Sequence, residues 1–217
     1  MAETFAKSET GRIEAFSDGV FAIAITLLVL AVEVPKVSEL GVGGLAAALL
    51  TRWPQYLAFV TSFATILALW INHHRIFTYI QRNNHPLQYW NGLVLLLVTF
   101  LPFPTALMAE YLQHPDGNIA GAIFAGTFVA ISLSFKGMWQ YVSKNGHLLA
   151  QQINLEDIEQ INKRLRFAPL LYLVPFAVAF VAPKVSVALC LCLAVVLGVK
   201  CWPSRRRKPS APGSRQI

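Results

Sequence analysis

Long apolar runs separated by short polar stretches are the main pattern of this sequence. Six runs, at about 13–34, 45–71, 90–110, 119–142, 167–181 and 185–202, are candidates for membrane-spanning segments. A helix needs about 20 mostly apolar residues to cross the hydrocarbon core of a bilayer. The pattern therefore predicts an all-α membrane protein with six transmembrane helices in each subunit.

Prolines and short turns mark the limits of these runs. Pro35 closes the first run, and the third contains Pro102 and Pro104. Because proline lacks a backbone donor, these two residues should kink or break the third helix. Only residues 182–184 separate the fifth run from the sixth, so these two runs are predicted to form a tight hairpin.

A polar segment, residues 143–166, precedes the fifth run. Within it Ile158, Ile161 and Leu165 recur at helical spacing, and Asn154 is a candidate N-cap. The segment is either a short amphipathic helix at the membrane surface or an extension of the fifth helix.

Composition supports membrane insertion. The chain has 217 residues, of which 55% are apolar and 13% are charged, against roughly 25% charged residues in a soluble domain. The net charge of +7 does not indicate a nucleic-acid partner, because the basic residues lie between and after the apolar runs. Residues 1–202 are predicted to form one domain, followed by a disordered basic tail at 203–217.

The basic residues also predict orientation. With six crossings both termini lie on one side, and that side carries 15 of the 18 lysines and arginines. The other three are Lys36, Arg52 and Lys184. Since basic residues accumulate on the cytoplasmic side, both termini are expected in the cytoplasm.

The first run contains an ionisable residue at membrane depth, Asp18, and such residues usually indicate function. On the predicted topology Asp18 lies at the depth of a polar cluster in the second run, so it should accept a hydrogen bond from a histidine or asparagine there. This cytoplasmic-end network is predicted to contain Arg12, Phe16, Ser17, Asp18, Trp70, Asn72, His73 and His74. It serves either helix packing or function.

Other site chemistries find little support. His73 and His74 are adjacent and project about 100° apart on a helix, unlike a metal-binding pair four residues apart. The glycines at 41, 43 and 44 are not followed by the Lys-Ser/Thr of a phosphate loop, and the carbonyl filter sequence of potassium channels is absent. Cys190, Cys192 and Cys201 are interpreted as small buried hydrophobic residues. No enzyme activity, cofactor or structural metal is expected.

Beyond Asp18 the first run becomes purely apolar along one stripe. Ile23, Leu27 and Leu30 follow one another at helical spacing, and Thr26 lies beside them. Such a stripe is typical of a lipid-facing or packing surface.

The segment Arg12-x-x-x-Phe16-Ser17-Asp18, followed directly by Gly19-Val-Phe-Ala-Ile23, resembles the signature of the lysosomal potassium channel family, transmembrane protein 175 and its bacterial relatives. The cluster around Trp70 and His73 also matches. The resemblance implies a bacterial single-repeat member that assembles as a homotetramer around a central pore lined by the first helix.

The resemblance changes the interpretation of the stripe. It implies that Ile23 forms the narrowest hydrophobic ring, with Leu27 and Leu30 as further layers and Thr26 beside them. It further implies a potassium-preferring cation channel of the cell membrane with weaker sodium permeation. A proton-coupled secondary transporter that uses Asp18 and a histidine, and a purely structural membrane protein, are the alternatives.

Overall fold

The computed structural model of the chain describes residues 2–40, 42–150 and 154–199, and this part is helical. Its α-helices are α1 Ala2–Leu27, α2 Gly44–Thr51, α3 Trp53–Thr78, α4 His85–Phe100, α5 Pro102–Tyr111, α6 Gly117–Lys144, α7 Leu155–Ala179 and α8 Pro183–Val199. Short 3₁₀ helices occur at Leu28–Ala31, Val37–Glu39 and Gly146–Leu148. The one β-type pairing in the described ranges is an isolated bridge between Ile80 and Leu149.

Local sequence explains where several helices begin and end. Asn84 caps α4, because its side-chain oxygen accepts a hydrogen bond of 3.0 Å from the Leu87 N–H. The predicted break in the third run is confirmed: α4 ends at Phe100 and α5 begins at Pro102. The hairpin between the fifth and sixth runs is also confirmed, since α7 ends at Ala179 and α8 begins at Pro183.

The prediction of six transmembrane helices is wrong. By length and composition four segments can cross a membrane: Thr10–Ala31, Trp53–Thr78, His85–Tyr111 and Gly117–Lys144. The described part of α8 has 17 residues, which at about 1.5 Å per residue is shorter than a hydrocarbon core of about 30 Å. In α7 the first half is charged and only the second half is apolar, so the apolar part is too short to cross a membrane.

Two further expectations are settled by this architecture. Residues 155–166 of the polar segment before the fifth run are part of α7, so for these residues the extension is correct and the separate surface helix is not. The second run is divided, because α2 ends before Arg52 and α3 starts after it.

The cysteines and the tail have different outcomes. Cys190 is buried as predicted, whereas Cys192 is exposed, which corrects the expectation for that residue. Cys201 and the predicted basic tail lie outside the described residues.

The core is centred on α6. This helix packs against α4, α5, α7 and α8, and it contributes the buried aromatic residues Phe124, Phe128 and Trp139. Within the apolar 18-residue stretch of α6, 56% of the residues are buried, against 22% in the corresponding stretch of the first span. The first helix is therefore at the edge of the subunit, where it packs on α3 and α4 and leaves one long face uncovered.

Candidate functional site: the first helix and its polar contacts

The uncovered face of α1 carries the predicted stripe. Ile23, Leu27 and Leu30 are 60%, 42% and 74% exposed. The opposite face, with Phe21, Ala24 and Leu28, is buried against the subunit. The stripe is thus not part of the core of a single subunit.

Thr26 lies on the same exposed face. Its hydroxyl donates a hydrogen bond of 2.8 Å to the Ile23 carbonyl, as threonines in helices commonly do. The donor is therefore occupied, and the hydroxyl oxygen still has acceptor capacity toward the exposed side.

Asp18 is held by a tryptophan of α3. The indole Nε1–H of Trp70 donates to Asp18 Oδ1 at 2.8 Å. A hydrogen bond to an ionised acceptor is about twice as strong as one between neutral groups. This contact joins α1 to α3 at the end where α1 begins and α3 finishes.

A buried chain of side chains links α1, α4 and α3 next to this contact. The Asn91 side chain bonds His73 Nε2 through its oxygen, at 2.8 Å, and donates from its nitrogen to Ser17 Oγ at 3.0 Å. Ser17 in turn donates to the Ile13 carbonyl at 2.8 Å. Because the Asn91 oxygen can only accept, the histidine nitrogen that faces it must carry the proton.

The ring of His73 is enclosed by aromatic residues. It stacks on Phe77, with ring centroids 4.4 Å apart, and it contacts Phe21 and Phe135. The residue is fully buried, and its Nδ1 has no hydrogen-bond partner among the described residues. The imidazole is therefore held by one hydrogen bond and by aromatic rings around it.

His74 has a different partner. Its Nδ1 lies 2.7 Å from Glu14 Oε1 on α1, and its ring stacks against that of Trp70. The two histidines thus contact different residues of α1 and α4. Within the described ranges neither of them hydrogen-bonds to Asp18.

The other predicted residues of the network lie at its margin. Arg12 and Phe16 are exposed on α1, and Asn72 donates from its side chain to the Ala68 carbonyl of its own helix at 2.8 Å. Two participants, Asn91 and Glu14, were missed by the sequence analysis. An amide one residue inside an apolar run is a usable signal for Asn91, since polar groups at membrane depth usually bond to another helix.

No metal centre accompanies these contacts. Across the described residues, no group of three or more His, Cys, Asp or Glu side chains is placed to hold a metal ion. The site consists of an apolar exposed stripe and, on its N-terminal side near the middle of α1, a set of polar contacts that fix that helix to α3 and α4.

Comparisons with known proteins agree with this arrangement. A model of the family described as endosomal/lysosomal potassium channel TMEM175 matches residues 12–102, which include α1 from Arg12 onward and the whole of α2, α3 and α4. A potassium channel of Chamaesiphon minutus is 52% identical over 200 residues, which are 92% of this chain and 98% of the relative. A potassium channel of Streptomyces collinus is 39% identical over 206 residues, 94% of this chain and 99% of the relative.

A solved structure agrees as well. The crystal structure of a lysosomal potassium-selective channel TMEM175 homologue from Chamaesiphon minutus has a TM-score of 0.81 and 51% identity, and the match covers 89% of this chain and 98% of that one. The resemblance inferred from the first-helix motif is thereby confirmed, as is the prediction that the protein is not an enzyme. Since the Chamaesiphon and Streptomyces relatives match this chain along nearly their whole length, the chain belongs to the TMEM175 family.

Proposed function

We propose that this chain is the subunit of a potassium-preferring cation channel, a homotetramer in the cell membrane. The observation that carries the proposal is the exposed apolar face of α1, where Ile23 and Leu30 are more than half exposed. The described residues of one subunit do not cover that face. Copies arranged around an axis bring the four faces together and enclose a path between them. The names of the two bacterial relatives, both potassium channels, support the choice of ion.

Ile23, Leu27 and Leu30 form the constriction in this proposal. An apolar ring has no carbonyl oxygens to replace the water around an ion, so it favours an ion that gives up or distorts its hydration shell at low cost. Potassium does so more readily than sodium. Selectivity of this kind is modest, and sodium permeates more weakly. The same ring closes the path when it dewets.

The polar contacts of α1 hold the constriction in place. Asp18 on Trp70 and Ser17 on Asn91 fix the middle of α1 to its own subunit. The part of the helix that follows Asp18 then presents its exposed face at a defined rotation. In this proposal the network positions the pore helix and does not carry protons.

The orientation follows from the charges. Arg75, Lys144 and Lys163 lie at the end of the bundle where α1 begins, and Lys36, Arg52 and Lys184 lie at the other. The positive-inside rule then puts the N-terminal end of α1 in the cytoplasm. Since α7 and α8 form a hairpin that returns to the end where it starts, the C-terminus is proposed to be cytoplasmic as well.

The test is ion flux from liposomes that contain the purified protein. A potassium gradient at equal pH on both sides should drive conductive flux, and sodium flux under the same conditions should be smaller. Ile23→Asn should wet the constriction and lower the ratio of potassium to sodium flux by about threefold or more. Leu133→Asn is the matched control, because Leu133 is 50% exposed on α6, away from the proposed path.

Each outcome decides between the candidates. Flux that requires a proton gradient would overturn the channel and favour the proton-coupled transporter. An unchanged flux ratio in Ile23→Asn would remove Ile23 from the constriction while leaving the channel itself in place.

A further inference from the structure

Glu33 is fixed at the far end of the first helix by the start of α3. Its backbone N–H donates to Gln55 Oε1 at 3.1 Å, and its carbonyl accepts from Arg52 Nη1 at 3.3 Å. The same guanidinium nitrogen lies 3.7 Å from Glu33 Oε2. Gln55 is itself buried, so both backbone groups of residue 33 have defined positions, and its carboxylate extends from this fixed backbone beside Arg52.

The two charges of this pair differ greatly in exposure. The side chain of Glu33 is 69% exposed, whereas that of Arg52 is 18% exposed. Arg52 precedes α3, which packs on the covered side of α1. The guanidinium therefore lies behind the carboxylate, as seen from the exposed face of the helix.

The position of Glu33 along the helix is equally specific. It follows Leu30, the last residue of the constriction stripe, by three positions, and its neighbour Val34 is 84% exposed. When copies are arranged with their exposed stripes toward one axis, a carboxylate from each copy lies just beyond the final apolar layer. Glu33 follows the 3₁₀ helix Leu28–Ala31, which has no acidic residue, and the acidic residues of α1 lie at or before Asp18.

We infer that Glu33 concentrates cations at the extracytoplasmic mouth of the conduction path, with Arg52 and Gln55 as the residues that position it. This inference rests on the proposed function. A fixed negative charge beside a narrow low-dielectric opening raises the local concentration of cations and so the rate at which they arrive. An apolar constriction has no charge of its own to do this.

Two of the three basic residues at this end, Arg52 and Lys184, are held on the side of α3, and the third, Lys36, is exposed three residues after Glu33. Arg52 lies on the covered side of the carboxylate, and the Lys184 ammonium lies 5.8 Å from the centre of the Trp53 ring. Both are anchored to α3 or at its start, away from the exposed stripe of α1.

The test is single-channel recording from patches excised from cells, in which the orientation of the channel is known. At about 10 mM potassium the Debye length is about 30 Å, and at about 1 M it is about 3 Å. Glu33→Gln should lower the inward current about twofold at the low concentration and have little effect at the high one. Outward current should change much less, since those ions arrive from the other end.

A matched control separates this local effect from a general change of surface charge. Asp116→Asn also removes one acidic charge, in the turn between α5 and α6 at the same end of the bundle, where the carboxylate contacts His114 and not the start of α3. It should leave both current directions unchanged. Glu33→Lys should lower inward current further than Glu33→Gln.

The outcomes distinguish this inference from the proposed function. If the wild-type protein conducts and Glu33→Gln matches it at low salt, Glu33 has no role at the mouth. A loss that is equal in both directions and independent of salt would also overturn the inference, because it would indicate that the pair only holds the chain in place. A wild-type protein without conductive potassium flux would instead overturn the proposed function.

Discussion

At the scale of residues, the contact that defines the first helix is the one between Trp70 and Asp18. A carboxylate at membrane depth is costly unless donors reach it. The indole N–H does so at 2.8 Å, and it brings with it a ring that also stacks on His74. One tryptophan thus satisfies the carboxylate and contacts the residue that binds Glu14.

Trp70→Phe tests this contact. It keeps an aromatic ring and removes the donor, so Asp18 loses a charge-assisted hydrogen bond. Bonds to charged groups contribute about 1.5–3 kcal/mol, and because Trp70 is 36% exposed we expect a loss of about 1–2 kcal/mol in the free energy of unfolding. Denaturant unfolding in detergent, followed by circular dichroism, measures it.

Trp53→Phe is the control for this change. Trp53 is exposed to a similar extent, 38%, and its ring faces Lys184 rather than a carboxylate, so the expected loss is below about 1 kcal/mol. Equal losses in the two variants would mean that the bond to Asp18 does not stabilise the fold.

The depth of the polar network was predictable from the sequence, but its pairing was not. Placing Asp18 level with Trp70 and His73 needs only the length and direction of two apolar runs. Choosing the donor needs the rotation of each helix about its axis, which the packing of Phe21 and Phe77 around His73 determines. The prediction that a histidine or asparagine donates to Asp18 assumed a particular rotation. In the structure His73 instead donates its hydrogen bond to Asn91, on a third helix.

At the scale of elements, the turn between α5 and α6 depends on a close approach of backbone atoms. Residues 112–116 connect the two helices, and the Gly117 N–H donates to the His114 carbonyl at 3.0 Å. A Cβ at Gly117 would lie 2.7 Å from the Tyr111 carbonyl oxygen and 3.3 Å from that of Leu112. Glycine allows the start of α6 to approach the end of α5 this closely.

Gly117→Ala should therefore destabilise the subunit. The new methyl group meets backbone atoms that cannot rotate away, and overpacking of this kind costs about 1–3 kcal/mol. Gly92→Ala provides the contrast on α4, because a Cβ there has nothing within 4 Å and should gain up to about 1 kcal/mol from helix propensity. Thermal unfolding of both variants checks the opposite signs, and a stabilised Gly117→Ala would show that the junction can relax.

Helix length and packing explain why the last two predicted spans were wrong, whereas the first four remain candidate membrane spans. Apolar periodicity alone does not distinguish a helix that crosses a bilayer from one that packs on its neighbours. In α7 the residues around Lys163 and Arg164 continue directly into the apolar half, so the boundary assigned at Phe167 divides a single helix. The proline break at Pro102 was predictable because it depends on one residue's chemistry and not on packing.

At the scale of the whole molecule, the main apolar surface left uncovered by the subunit is the exposed face of α1. In the apolar stretch of the first span 22% of the residues are buried inside the subunit, which is less than half of the buried share in α6. The sequence placed Ile23, Leu27 and Leu30 on one stripe, but only the packing of α3 and α4 on the opposite side establishes that the subunit leaves this stripe uncovered. Contacts between copies would remove it from lipid.

Cysteine cross-linking tests whether copies meet at this face. Leu30→Cys, in a background where Cys190, Cys192 and Cys201 are replaced by alanine, puts a thiol at a position that is 74% exposed. If the stripes converge on one axis, oxidation of the protein in membranes should convert most of the chain to disulfide-linked dimers, because the Cα atoms then approach the 4.4–6.8 Å that a disulfide typically needs. Leu133→Cys, 50% exposed on α6, should remain monomeric under the same oxidation. A monomeric Leu30→Cys in a protein that still conducts potassium would show that the path is not formed by the first helices, since no narrow apolar constriction can keep these side chains far apart.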